Sequence, residues 1–207
     1  PGFNWHQGKM SRSVPATFAY LKKAQDKLPE AVDAVIKTLQ TSQIYHSQLS
    51  DFVDEAYRNK AEKRVNKANT TAVGFFDKKI AQFLRAKGID VSGRDVIILE
   101  QSLITSEKFL SRHAAAGNAP LPQDWKNLLD YLADADVYWD NRQNKNTLLF
   151  LKKISELQYI KIAVDVIASE RFLMLPKIDT MFYLDIAAED DKGCEEYRQI
   201  MKLKKIR

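Results

Sequence analysis

Cysteine is nearly absent from this chain of 207 residues, which contains only Cys194. A single cysteine excludes an internal disulfide framework and an all-cysteine zinc site. The seven glycines and six prolines are too few for a collagen-like or low-complexity protein. No window approaches about 18 apolar residues, so the sequence predicts no membrane span. The hydrophobic fraction of 45% nevertheless excludes a wholly disordered chain and predicts a real core.

The positive charge is modest, with 32 Lys and Arg against 27 Asp and Glu. It is concentrated in two stretches, 58–67 and 198–207, each with five Lys or Arg. The stretches are typical either of a solvated helix face and a charged terminus, or of a surface that binds phosphates. For the second interpretation the candidate nucleic-acid contacts in the first stretch are Arg58, Lys60, Lys63 and Arg64.

The first third of the chain predicts helices. Residues 1–14 have no hydrophobic period and are interrupted by glycine and proline, which is typical of a loop. Apolar residues then recur at helical spacing in three segments, the last of them over 42–66. We therefore expect a linker over 1–14 and a helical unit over 15–68. The chain has no initiator methionine, and we expect it to be a piece of a longer protein.

The remainder, 69–207, mixes strands and helices. Strands are predicted over 71–76, 95–99, 136–139, 147–152, 158–167 and 178–186. Helices are predicted over 77–87, from Thr105 or Ser106 through Leu110, over 123–133 and over 191–204. The last strands follow one another with short links, which predicts an antiparallel sheet. The fold class is therefore α+β: a helical unit followed by a small antiparallel sheet flanked by helices.

Residues 158–167 and 178–186 alternate between apolar and polar positions. In the first strand Ile160, Ile162 and Val164 share one face, and Lys161 lies on the other. The same alternation places Thr180 in one row with Ile178 and Phe182.

Common catalytic motifs are missing. The sequence has no dinucleotide or phosphate-binding glycine loop, no zinc-binding HExxH and no GxSxG elbow, so we expect no cofactor. The three histidines, His6, His46 and His113, are far apart and lack the spacing of a metal site. Acidic clusters at 134–136 and 189–191 are weak evidence for a metal or glycosidase role. We predict no metal site.

His113 follows Arg112 near the end of a short predicted helix that also carries Lys108. Such a group beside a basic sheet could cleave phosphodiesters without metal, because histidine exchanges protons near neutral pH and cations stabilise the phosphorane. Lys161, a charge in the middle of a strand, is a further candidate. Structural interpretations stay open: basic residues favour a helix C-terminus, and a lysine on a half-exposed strand is ordinary.

Two segments resemble known proteins. The opening PGFNWHQGK resembles the segment that closes the head-morphogenesis domain of phage Mu F-like proteins. Residues 95–184, with SEKFLSRH, VYWD, NTLLF, YIKIAV and DT-x-FYLD, resemble the nuclease-like domains appended to such proteins. Those domains belong to the barnase–EndoU–colicin–RelE-like (BECR) group, whose members are typically metal-independent ribonucleases or inactive relatives.

The resemblance implies roles for particular residues. Lys108, Arg112 and His113 match polar positions of the early helix, Lys161 matches a basic position on a central strand, and Thr180 matches the Ser or Thr of the late strand. An inward Thr180 would more naturally satisfy a hydrogen bond in the core than contact a phosphate. Tyr183 would then face outward beside Lys161 and could stack on a base.

We therefore expect the C-terminal region of a Mu F-like minor head protein, with a toxin-like ribonuclease that cleaves RNA through 2′-hydroxyl attack. The catalytic set is His113, Arg112, Lys161 and Thr180, and we expect Lys108 and Tyr183 to contact the nucleic acid together with the basic residues near 58–64. Expected partners are RNA (including tRNA), phage head and portal proteins and an immunity protein, in the virion or the bacterial cytoplasm. Two alternatives stay open: a structural module of the phage head, and a nucleic-acid-binding domain without catalysis.

Overall fold

The computed structural model describes residues 43–64, 69–91, 96–142, 146–166, 175–187 and 192–207. Their elements follow in the order α1 (Gln43–Ala61), β1 (Thr70–Phe75), α2 (Lys78–Ala86), β2 (Val96–Glu100), α3 (Gln101–Ile104), α4 (Glu107–Ala115), α5 (Pro122–Lys126), α6 (Leu128–Asp134), β3 (Asp136–Asp140), β4 (Thr147–Ser155), β5 (Gln158–Asp165), β6 (Lys177–Asp185), α7 (Lys192–Ile200) and β7 (Lys204–Lys205). The mixture of helices with one sheet confirms the α+β class. The loop expected over 1–14 and the helices expected before residue 42 lie outside the described residues.

The seven strands form one sheet in the order β1-β2-β6-β5-β4-β3-β7. Strands β3, β4, β5 and β6 pair with one another in antiparallel fashion as a meander, which confirms the antiparallel sheet predicted for the last strands. The pairing of β2 with β6 is parallel and joins the meander to the antiparallel pair of β1 and β2. The meander therefore forms the centre of the sheet, with Lys161 in one of its inner strands.

The larger hydrophobic core lies on one face of the sheet. It contains buried side chains from α1, α2, α5 and α6 together with Phe150, Ile160 and Ile162. Because side chains alternate along a strand, Leu149, Lys161 and Ala163 point to the other face. There a smaller cluster forms between the sheet and α7. The alternation predicted for 158–167 is thus confirmed, and it places Lys161 on the face that carries the smaller cluster.

Strand β6 contains a bulge that overturns the predicted alternation of residues 178–186. Ala163 pairs with Thr180, but the next residue of β5, Val164, pairs with Ile178. Asp179 is therefore the extra residue, and the face of each side chain changes across it. Ile178 joins the larger core, whereas Phe182 packs against the smaller cluster. The expectation that Thr180 shares an inward row with Ile178 was wrong.

Helix α2 begins and ends at residues that are typical of helix termini. The side chain of Asp77 accepts a hydrogen bond from the N–H of Ile80 at the start of α2, and Gly88 adopts a positive φ of 78° just after its end. The helix expected over 123–133 is instead two helices, α5 and α6, separated at Asn127. Helix α4 continues past Leu110 to Ala115, so His113 lies in its last turn.

Helix α1 covers most of the segment 42–66 that was predicted helical. Its buried side chains Leu49, Val53 and Ala56 belong to the larger core. The boundary at residue 68 between a helical unit and the α+β domain stays a prediction. Among the residues that the model describes, no helix combines the length and the hydropathy needed to cross a membrane.

Candidate functional site

The four predicted catalytic residues line one cavity. It has a volume of about 940 Å³ and lies on the sheet face opposite the larger core, between the sheet and helices α4 and α7. Arg112 and His113 reach it from α4, Lys161 from β5 and Thr180 from β6. The pairing of β5 with β6 and the position of α4 beside the same face of the sheet bring these distant segments together.

Phe182 connects the two principal groups of the cavity. The ring of His113 stacks on the Phe182 ring with a centroid distance of 4.8 Å and an interplanar angle of 20°. The ammonium of Lys161 lies 5.0 Å from the centroid of the same ring. Lys161 and Phe182 are direct partners in the β5–β6 register. Simple alternation along β6 gave no reason to expect Phe182 here, because the bulge at Asp179 moves Phe182 to the face of Lys161.

Lys161 is held by a carboxylate. Its side chain is buried, with 9% of the residue exposed, and its Nζ lies 2.6 Å from Oε1 of Glu196 in α7. The same oxygen of Glu196 lies 3.2 Å from Nη2 of Arg142. Arg142 in turn donates two hydrogen bonds to Asp140, from Nε at 2.9 Å and from Nη2 at 2.8 Å. Cations and carboxylates therefore alternate along one wall of the cavity.

This network shifts the pKa values of Glu196 and Arg142. Burial acts to raise the pKa of Glu196, but the hydrogen bonds and charges of Lys161 and Arg142 outweigh burial and hold the pKa of this carboxyl below its ordinary value. The hydrogen bond to Asp140 raises the pKa of Arg142. Glu196 is consequently ionised at neutral pH, and Lys161 and Arg142 are fixed in place as cations.

The cavity has a slight positive excess. Its lining contains four Lys or Arg, namely Arg112, Arg142, Lys161 and Lys192, against three carboxylates, Asp140, Asp179 and Glu196. Glu196 and Asp140 neutralise part of that charge. A phosphate entering the cavity would therefore share Lys161 and Arg142 with carboxylates that also orient them.

The start of α7 brings Glu196 into the cavity. A Cβ atom on Gly193 would lie 2.6 Å from the carbonyl oxygen and 2.9 Å from the nitrogen of Asp185, so only glycine permits this approach to the end of β6. Glu196 follows three residues after Gly193, in the second turn of the helix. The sequence predicted this helix, but nothing in its pattern indicated that Glu196 would face Lys161.

His113 has a hydrogen-bonding partner in the segment that follows its helix. Its Nδ1 lies 2.9 Å from Oδ1 of Asn118. The helix ends at Ala115, Gly117 just beyond it has a φ of 68°, and the N–H of Asn118 donates to the carbonyl of His113 at 3.0 Å. The small residues after His113 thus form an ordered helix end, and Asn118 is a further cavity residue that the sequence did not indicate.

Tyr183 lies on the opposite face of the sheet from Lys161. It pairs with Ile160 and packs against the larger core, and its hydroxyl donates to Oδ2 of the buried Asp124 at 2.7 Å. Burial and this hydrogen bond raise the pKa of the Tyr183 hydroxyl. The expectation that Tyr183 faces outward beside Lys161 was wrong, because the bulge at Asp179 reverses the faces of β6.

The basic residues near the end of α1 lie outside the cavity. Arg58, Lys60, Lys63 and Arg64 are exposed or half-exposed, and none of the four is part of the cavity lining. Helix α1 packs beside α3, where Asn59 donates to Gln101 at 3.5 Å, and Leu103 of α3 lines the cavity. Lys108 is part of α4, but its side chain lies outside the described residues.

The donor set of this cavity is suited to anion binding and proton transfer. It contains an imidazole, guanidinium and ammonium groups, hydroxyls and carboxylates. Within the described ranges, no group of three or more His, Cys, Asp or Glu side chains has an arrangement that could hold a metal ion. In comparisons with known proteins, no family model, no curated protein and no solved structure matches this chain.

Proposed function

We propose that the chain is a metal-independent ribonuclease whose catalysis takes place in the cavity between α4, α7 and the sheet. The observation that carries the proposal is the convergence of His113 and Lys161 on Phe182, with Arg112 and Thr180 in the same lining. These residues come from three separate elements, and they supply the groups that phosphodiester cleavage needs: a proton-transferring imidazole and several donors for the phosphate oxygens.

In the proposed reaction the 2′-oxygen of a ribose attacks the adjacent phosphorus, and the bond from phosphorus to the 5′-oxygen breaks. Glu196, ionised beside Lys161, accepts the proton of the 2′-hydroxyl. His113 donates a proton to the leaving 5′-oxygen. Lys161, Arg112 and the hydroxyl of Thr180 stabilise the charge that develops on the phosphorane. The products are a 2′,3′-cyclic phosphate and a free 5′-hydroxyl.

The test is incubation of the protein with total RNA and with tRNA in EDTA. We expect cleavage by the wild type and loss of cleavage in His113→Ala and Lys161→Ala, each with an unchanged circular dichroism spectrum. His46→Ala is a matched control, because His46 lies near Asp130 at 3.4 Å and is not part of the cavity lining. Intact RNA with the wild type, or full activity in both cavity variants, would contradict the proposal.

The cavity also bears on the structural-module alternative. A purely structural module has no need of a concave site with His113, Lys161 and Arg142 in its lining. The presence of this cavity supports an active site over a simple packing surface. Stable oligomers that neither bind nor cleave RNA would favour the structural module instead.

A second candidate function is RNA binding without chemistry, and the basic end of α1 favours it. Arg58, Lys60, Lys63 and Arg64 supply positive charge at a surface separate from the cavity. Binding there would be sequence-independent and would weaken steeply with salt. Salt-dependent RNA binding without strand cleavage would distinguish this function from a ribonuclease.

From the resemblance of residues 1–9 and 95–184 we further propose that the chain is the C-terminal region of a Mu F-like minor head protein. Its partners would then be head and portal proteins, with an immunity protein to protect the producing cell. Residues 1–9 lie outside the described residues. Detection of this chain by mass spectrometry in purified phage particles would support the assignment, and its absence from particles would contradict a virion location.

A further inference from the structure

The segment after α4 is fixed to the sheet at Asn118. The N–H of Tyr183 in β6 donates to the carbonyl of Asn118 at 3.0 Å, and the N–H of Asn118 donates to the carbonyl of His113, also at 3.0 Å. Both backbone groups of Asn118 are therefore used to join the end of α4 to the strand that carries Phe182. The side chain of Asn118 is directed to the imidazole by this anchorage.

The hydrogen bond between the two side chains has a defined direction. The carboxamide oxygen Oδ1 of Asn118 can only accept, and it lies 2.9 Å from Nδ1 of His113. Nδ1 must therefore be the donor. In neutral imidazole one ring nitrogen is protonated and the other is an acceptor, so a proton on Nδ1 leaves Nε2 as the basic nitrogen.

The stacking contact fixes the remaining freedom of the ring. The 4.8 Å stack on Phe182 restricts rotation of the imidazole, and the bond to Asn118 selects which edge faces the helix end. Tyr183, next to Phe182 in β6, holds the backbone of Asn118 in register. One strand thus supplies both the surface on which the ring stacks and the anchor for its hydrogen-bonding partner.

We propose that Asn118 is a positioning residue that fixes His113 in the tautomer protonated at Nδ1, so that Nε2 is the atom that exchanges protons with RNA. The inference rests on the proposed function for its catalytic meaning. Its structural part, the tautomer, can be measured without any activity.

The first measurement is the tautomer and titration of His113 by ¹⁵N NMR. His113→Ala assigns its signals, and His6 and His46 are internal references. In the wild type we expect the proton on Nδ1. In Asn118→Ala the acceptor is lost while both backbone hydrogen bonds remain possible, and we expect a mixture of tautomers. In Asn118→Asp a carboxylate replaces the amide, and we expect the titration midpoint of His113 to rise by about one unit or more.

The other charges around His113 are the same in every variant. Arg112, Lys161 and Asp179 line the same cavity, so a difference between Asn118→Ala and Asn118→Asp isolates the group at position 118. Asn118→Ser is the conservative variant, because a hydroxyl can accept the same hydrogen bond. If Asn118→Ser partly restores the Nδ1 tautomer, then the effect of Asn118→Ala comes from loss of the hydrogen-bond acceptor and not from a general loosening of the helix end.

The second measurement is the pH profile of RNA cleavage. We expect Asn118→Ala to lower kcat by about tenfold to hundredfold with little change in KM, since misorientation of a proton-transfer group affects the chemical step. We expect the profile of Asn118→Asp to move to higher pH together with the NMR midpoint of His113.

The two parts of the inference fail separately. A neutral wild-type His113 that carries its proton on Nε2, or a neutral tautomer that does not change in Asn118→Ala, would overturn the positioning role whether or not RNA is cleaved. A fixed Nδ1 tautomer in a protein that leaves RNA intact would support the positioning role and contradict the proposed ribonuclease. If Asn118→Ala cleaves RNA with an unaltered kcat, the positioning of His113 by Asn118 does not contribute to catalysis.

Discussion

Lys161 and Glu196 are 35 positions apart in the chain, yet their Nζ and Oε1 atoms lie 2.6 Å apart. Lys161 lies in the middle of the sheet, where 9% of the residue is exposed, and Glu196 reaches it from the second turn of α7. A buried cation without a partner is costly, so the carboxylate allows a lysine to occupy this strand position. The pair also leaves the lysine charged inside a cavity that can admit an anion.

Glu196→Gln should reduce stability in a pH-dependent manner. The folded protein holds the pKa of Glu196 below its ordinary value, so the ionised carboxyl stabilises the fold above that value, and the contribution is lost as pH falls through the lowered pKa. We expect the variant to be less stable at pH 7 by about 1–2 kcal/mol. The difference from wild type should shrink between about pH 5 and pH 3.

Urea unfolding at pH 7, 5 and 3 measures this difference. Glu195→Gln is the matched control: Glu195 is the preceding residue of α7, it is exposed, and its side chain accepts a hydrogen bond from Gln199 at 3.3 Å. Its stability difference from wild type should be small at each pH. A Glu196→Gln difference that stays constant from pH 7 to pH 3 would show that the ion pair does not stabilise the fold.

The sequence predicted the strands well because their periodicity is a local property. Ile160, Ile162 and Val164 alternate with polar positions, and this alone placed Lys161 on the face opposite the core. The bulge at Asp179 could not be predicted in the same way. It depends on the pairing of two strands, and its effect is to exchange the faces of Phe182 and Tyr183 relative to the simple alternation.

The site was predictable only in part for a similar reason. His113 and Lys161 were identifiable from residue type and local context. Glu196 became a member of the site through the packing of α7 against β6 at Gly193, and Asn118 through a hydrogen bond across the end of α4. Both relationships are tertiary, and a single sequence carries no periodic signal for them.

Substitutions at Thr180 and Tyr183 should have different effects, because Thr180 lies on the cavity face of β6 and Tyr183 on the core face. Tyr183→Phe removes the hydroxyl that donates to the buried Asp124, and we expect a loss of about 1–2 kcal/mol in the free energy of unfolding. Cleavage should remain at the wild-type level, because Tyr183 is outside the cavity lining.

Thr180→Val should have the opposite effects. The change keeps the shape of the side chain but removes a hydroxyl from the cavity, and we expect cleavage to fall by about tenfold or more while stability is nearly unchanged. Parallel thermal unfolding and RNA cleavage assays of the two variants provide the measurement. If Tyr183→Phe loses activity at full stability, the assignment of the two faces to core and site is incorrect.

The basic end of α1 should bind long RNA through phosphates. Combined replacement of Arg58, Lys60, Lys63 and Arg64 by glutamine should leave cleavage of a dinucleotide unchanged, since none of the four lines the cavity. Binding of a single-stranded 20-mer should weaken. The slope of log K against log salt concentration should become shallower by up to about 3, from about 0.7 for each lost phosphate contact on a single strand.

Helix α2 offers a control with the same number of charges. Its region carries the exposed Lys78, Lys79, Arg85 and Lys87, and Phe83 places the helix against Trp139 in β3, whereas α1 packs beside α3. If the position of the charge matters, the α2 variant keeps the wild-type salt slope and the α1 variant does not. Equal changes in both slopes would mean that RNA responds only to the net charge of the protein, and the basic end of α1 would then be a solvated helix end.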